Sequence, residues 1–139
     1  RDRFDLAENE ALLIEFEAPD ARHWSYQLGN YWSQMLDWAN FTSSTNGVQA
    51  RPSSDGRYRL VVAHSDPGVP NWLDTAGHPE GLVVYRYHDP VSRPVPTARL
   101  VALSELREHL PADTPVVTPE DRAAEIEMRR AHKRFRWQP

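Results

Sequence analysis

The sequence predicts a mainly β chain: a sandwich, jelly-roll or barrel with a short helix near 104–110 and a C-terminal helix over about 119–136. Three observations predict it. Short runs alternate apolar and polar residues, as half-buried strands do. The 12 Pro and 6 Gly cut the chain into short pieces. A strong helix signal comes only at the end.

Ile14 and Phe16 alternate with Glu15 and Glu17 in the run Leu12 to Glu17. Ala18-Pro19-Asp20 is a turn signal, and His23 to Leu28 alternates again with Trp24, Tyr26 and Leu28 on one face. The two runs read as a hairpin. Tyr31 to Asn40 is open between helix and loop. A weak strand is expected around Gly47 to Ala50. Asp55-Gly56 is the strongest hairpin turn, because this dipeptide readily supplies positive φ. Strands follow over Arg57 to His64, Leu82 to His88 and Thr97 to Leu103, rich in β-branched and aromatic residues. Residues 65–81 hold three Gly and three Pro and read as an ordered irregular loop.

Ser104 could cap the run Glu105 to Leu110, which Pro111 ends. Thr118 can cap the last helix, with Pro119 at its first position and Glu120 and Asp121 in its first turn. Ala124, Met128, Ala131 and Phe135 form one apolar stripe. This helix is expected to pack on the 1–118 β-domain or on a neighbouring subunit.

The length of 139 residues fits one domain. With no cysteine, disulfides, thiolate metal sites and cysteine nucleophiles are excluded. No apolar run reaches membrane-span length, so no membrane partner is expected. The net charge is -4, which disfavours nucleic acid. The charge divides unevenly: residues 120–139 hold 6 basic and 4 acidic side chains, leaving 10 basic and 16 acidic before them. The chain opens at Arg1 with no signal-peptide pattern. It is therefore expected to be cytoplasmic and part of a longer polypeptide.

Chemistry concentrates in residues 64–81. Asp74 and His78 could form a carboxylate–imidazole pair, the carboxylate orienting a general base or acid. Trp72, Asn71 and Arg86, with Trp38 and Asn40 from an opposing segment, would shape a pocket for a small, partly apolar molecule. A metal reading of His64, Asp74, His78 and Glu80 is the minor alternative; no metal site and no cofactor are assigned. The bland reading is that Asn71 and Asp74 hold the loop through local backbone bonds and Trp72 plugs the core. A structural or oligomerisation module is the competing function. Carbohydrate binding, which needs two coplanar exposed aromatics, is a weaker one.

The stretch Asp66-Pro67-Gly68 through Asn71-Trp72-Leu73-Asp74-Thr75-Ala76-Gly77-His78, then Glu80-Gly81 and a strand, resembles a bacterial group. That group is the C-terminal domain of unknown function 1214, often found behind domain of unknown function 1254. Trp24-Ser25-Tyr26-Gln27-Leu28 and Leu36-Asp37-Trp38-Ala39-Asn40 extend the resemblance, which covers roughly residues 10–110. It implies a jelly-roll-like antiparallel β-sandwich, usually within a longer chain and often oligomeric. It implies no general activity and no catalytic residue. Asp-Thr-Ala-Gly-His departs from the Asn-Trp-Leu-Pro form of the pattern, so a role for Asp74 and His78 would belong to a subgroup.

Overall fold

A computed structural model describes residues 2–137; Arg1 and the last two residues of the 119–139 segment lie outside them. Eight strands follow in chain order: β1 (Asp2–Asp5), β2 (Glu10–Phe16), β3 (Ala21–Asn30), β4 (Ser44–Asn46), β5 (Tyr58–Ala63), β6 (Trp72–Asp74), β7 (Glu80–Pro90) and β8 (Thr97–Ala102). A 3-10 helix (Leu103–His109) and α1 (Pro119–Arg136) complete the chain. The strands form two four-stranded sheets, ordered β1-β7-β3-β4 and β6-β5-β2-β8. The β5–β6 pair is parallel and the other pairs are antiparallel. Neither sheet closes into a barrel.

The expected hairpin of β2 with β3 does not form, because the two strands belong to different sheets. Their large apolar faces explain why. Phe16 stacks on Tyr26 at 4.7 Å and meets Trp24 edge-on at 5.4 Å. Opposing these rings across a shared core removes both faces from water; pairing the strands side by side would not. The stack continues in both directions, from Tyr58 through Phe16 and Tyr26 to Tyr85, beyond which the Tyr87 ring is tilted by 51°. The tyrosine Tyr26 is fully buried, and its hydroxyl lies 3.4 Å from that of Tyr87. Burial, then the Tyr87 hydroxyl, pushes the Tyr26 phenol well above its ordinary range, so it stays neutral.

The apolar run of β5 is buried on both faces. Leu60 and Val62 join the aromatic core, while Val61 and Ala63 join a second cluster with Leu13, Val69, Val101 and Leu106. Continuous apolar sequence is what a strand covered on both sides requires. Gly81 is the tightest point between strands. A Cβ there would lie 2.2 Å from the Gly29 carbonyl oxygen and 2.8 Å from the Phe4 ring, so only glycine fits.

Other local expectations are corrected. The Ser53–Gly56 turn is real, with Gly56 at φ 79 and its N–H donating to the Ser53 carbonyl. It joins no hairpin, because β4 and β5 lie in different sheets. The weak strand sits at 44–46 rather than 47–50; Asn46 Oδ1 accepts from the Val48 and Gln49 N–H groups and turns the chain. Residues 31–40 form turns rather than a helix, because Asn30 Oδ1 captures the Trp32 and Gln34 N–H groups. Ser104 does not cap the 3-10 helix, which begins after Ala102 with no side-chain cap. α1 keeps its expected bounds, and Thr118 forms a capping box with Asp121.

Candidate functional site

The loop from β5 to β7 is organised by side chains that bond backbone. Asn71, at φ 60, accepts the Arg51 N–H through Oδ1. Its amide donates to the carbonyls of Arg51 and Arg59, so its hydrogen-bonding capacity is absorbed in the fold. The indole Nε1–H of Trp72 donates to the Ala63 carbonyl at 3.0 Å. Asp74 Oδ1 accepts the Ala76 N–H at 2.8 Å. The His78 N–H donates to the Thr75 carbonyl, with Ala76 and Gly77 between them at φ 50 and 81. Asp74 to His78 is thus a tight turn held by its own aspartate.

Among the described residues, Asp74 and His78 make neither a hydrogen bond nor an ion pair with each other. The engaged histidine is His64. Its Nε2 donates to the Leu6 carbonyl at 2.9 Å, and its Nδ1 lies 2.6 Å from the hydroxyl of buried Thr75. Burial raises Asp74 above the usual carboxylate value, and Asp66 adds to the rise, against the Ala76 N–H, His64 and Arg122. No group of three or more His, Asp or Glu side chains among the described residues is arranged to hold a metal ion.

α1 lies where the sequence reading placed a pocket. The arginine Arg122 grips Asp66 with two bonds, from Nε at 2.9 Å and Nη2 at 3.1 Å. It also donates to the Val69 carbonyl, and its guanidinium sits 5.2 Å from the Trp72 ring. Two turns later, Arg129 donates to the Ser44 carbonyl at 2.7 Å and to the Trp38 carbonyl at 3.4 Å. Next to it, Arg130 donates to Asn40 Oδ1 at 2.9 Å. The helix therefore covers the surface that carries Trp72, Trp38 and Asn40. Sequence reading missed both buried arginines; the signal available was their spacing of seven on a helix.

Arg86 stands apart from this group, on β7 of the other sheet. It lines an open groove of about 630 Å³ with Tyr85, Tyr87, Arg93, Pro94 and Val95. The Tyr87 hydroxyl donates to the Pro94 carbonyl at 3.0 Å and so holds the β7–β8 connection over the strand. Here the aromatic stack ends: Tyr85 and Tyr87 are half-buried, with ring centroids 5.9 Å apart. β1 pairs only with Glu80 to Val83, so beyond Val83 that edge of β7 has no strand beside it among the described residues. Neither arginine of the groove makes an ion pair among the described residues. A smaller cleft of about 280 Å³ lies between Arg51–Ser54, Asn71 and Leu110–Pro115. Asp74 and His78 line neither.

Tyr31 and Trp32 are both exposed, but their rings cross at 87°. No helix among the described residues is long and apolar enough to cross a membrane.

No protein-family model matches the chain, and no curated protein matches it either. An uncharacterised protein from Burkholderia cenocepacia, known from its crystal structure, is 40% identical with a TM-score of 0.71. The similarity covers 73% of this chain and 29% of that protein. The chain thus spans less than a third of the length of the structure it resembles.

Proposed function

We propose that the chain is a jelly-roll-like β-sandwich module whose β7 groove binds a small molecule with a planar apolar body and an anionic group. The observation that carries this is the open end of the aromatic stack at Tyr85 and Tyr87, bordered by Arg86 and Arg93 without ionic partners among the described residues. A flat ring would continue the stack, and a carboxylate or similar anion would meet guanidinium donors. Asn71, Asp74 and His78 then act as loop supports rather than ligand contacts. The same reading places the module in a longer bacterial chain, which the partial span of the Burkholderia protein supports, and assigns it to the domain of unknown function 1214 group on the resemblance of residues 66–81.

Naphthoate and its uncharged carboxamide are the probes. Fluorescence titration should show the carboxylate bound more tightly than the amide. Substituting Arg86→Gln together with Arg93→Gln should remove about tenfold of that preference, roughly 1.4 kcal/mol. Equal binding of both probes to the wild-type chain, or an unchanged preference in the double variant, would refute the assignment.

A further inference from the structure

α1 is oriented in reverse of an ordinary surface helix. Its buried residues are Arg122 and Arg129, with Glu125 and Ile126 half-buried beside them. The apolar stripe points away from the body. Met128 is 73% and Phe135 77% exposed, and Ala124 and Ala131 are exposed too. At 100° per residue, the stripe lies about 180–240° around the helix from Arg122. An outward apolar stripe of this regularity calls for a covering partner.

The spacing identifies the partner. Steps of four, three and four place Ala124, Met128, Ala131 and Phe135 on the seam positions of a two-helix coil. Lay a second α1 antiparallel across the first, with the two-fold axis level with the Arg129–Arg130 peptide. Ala124 then faces Phe135 of the second copy, and Met128 faces its Ala131. Each large side chain meets a small one, and the dyad repeats both pairings. The flanking charges obey the same symmetry, since Glu127 comes beside Arg134 of the second copy. In the single chain these two bond each other at 2.6 Å, both side chains being about 60% exposed. Two such pairs side by side make a ring of four alternating charges. A parallel pairing would set Phe135 against Phe135 and Ala124 against Ala124, large on large and small on small. We infer that α1 is a homodimerisation element that pairs antiparallel with α1 of a second copy through this stripe.

The two faces of the helix would then divide the work. The arginine face holds it on its own β body, and the stripe holds the second copy. The inference is independent of the β7 groove, none of whose lining residues belongs to α1.

Sedimentation velocity on the full chain, over a hundredfold concentration range, tests it. A concentration-dependent monomer–dimer shift is expected. Met128→Glu combined with Phe135→Glu should give monomer throughout, with the circular dichroism of the folded chain retained. Glu127→Arg alone and Arg134→Glu alone should each weaken the dimer, by bringing like charges together. Mixing those two variants should restore it as a heterodimer, because both flanking pairs become complementary again. A wild-type monomer at every concentration would overturn the inference. So would a dimer indifferent to the Met128 and Phe135 substitutions, a mixture that fails to recover, or a monomeric chain whose stripe binds anionic phospholipid vesicles instead.

Discussion

The aromatic core and the seat of α1 use opposite physics. In the core, Phe16, Tyr26, Trp24 and Tyr58 touch ring to ring. Under α1, the buried groups are guanidiniums, and their partners are carbonyls, the Asp66 carboxylate and the Glu125 carboxylate of the helix itself. Dispersion and water exclusion tolerate small shifts. Charged hydrogen bonds do not, because each loses strength with angle and distance and leaves a desolvated charge if broken. The seat even keeps one such debt: the Nε of Arg129 is buried without a partner among the described residues. No residue of α1 joins either apolar cluster. The β body should therefore be the stable unit, with α1 attached to it as a separable element.

The sharpest way to test this contrast is to cut the core. Tyr26→Ala or Phe16→Ala should cost about 3–5 kcal/mol in urea unfolding, since each empties a fully packed site. Removing a pin from the seat should do less and do it locally. Arg122→Met keeps the stem and loses the bonds to Asp66 and Val69, so about 1–3 kcal/mol is expected. Hydrogen exchange should rise over residues 119–136 while the β5 amides keep their protection. Equal loss of protection in β5 would show that body and helix are one cooperative unit.

A smaller effect of opposite sign is expected at Asp74. Burial raises its carboxyl above the ordinary value, so the folded state holds the proton more tightly than the unfolded chain does. Ionisation then penalises folding as pH rises through that window, and below the usual carboxylate range the penalty is gone. Asp74→Asn can still accept the Ala76 N–H. It should be more stable than wild type at neutral pH, with the advantage fading as the solution is acidified; thermal melts across pH measure it. His78→Ala should change stability least, by about 0.5 kcal/mol or less, because only its main chain is engaged in the turn.

Much of the fold was legible because it is local. Alternation put Trp24, Tyr26 and Leu28 on one face, and all three are buried. Thr118, Pro119 and Asp121 marked the start of α1 to the residue. Asp55-Gly56 announced a turn with positive φ at Gly56. The candidate site was legible only in its pieces. Trp72, Trp38 and Asn40 do share one surface, but α1 occupies it, and Arg86 belongs to a groove that none of them reaches. Nothing local in Asp74 to His78 separates a catalytic pair from a turn, since either use needs the same polar side chains.

By itself, then, the sequence determined strand faces, turn positions and the helix with its apolar stripe, all set by neighbours within a few residues. Tertiary structure alone decided which strands share a sheet, where the aromatic stack opens, and which side of α1 faces inward. That last choice went against the stripe for a physical reason. Glu125 on the helix itself bonds both arginines, but Arg122 and Arg129 can be buried only where further acceptors wait, and those, Asp66 and the Val69 and Ser44 carbonyls, come from chain 53 to 85 residues away.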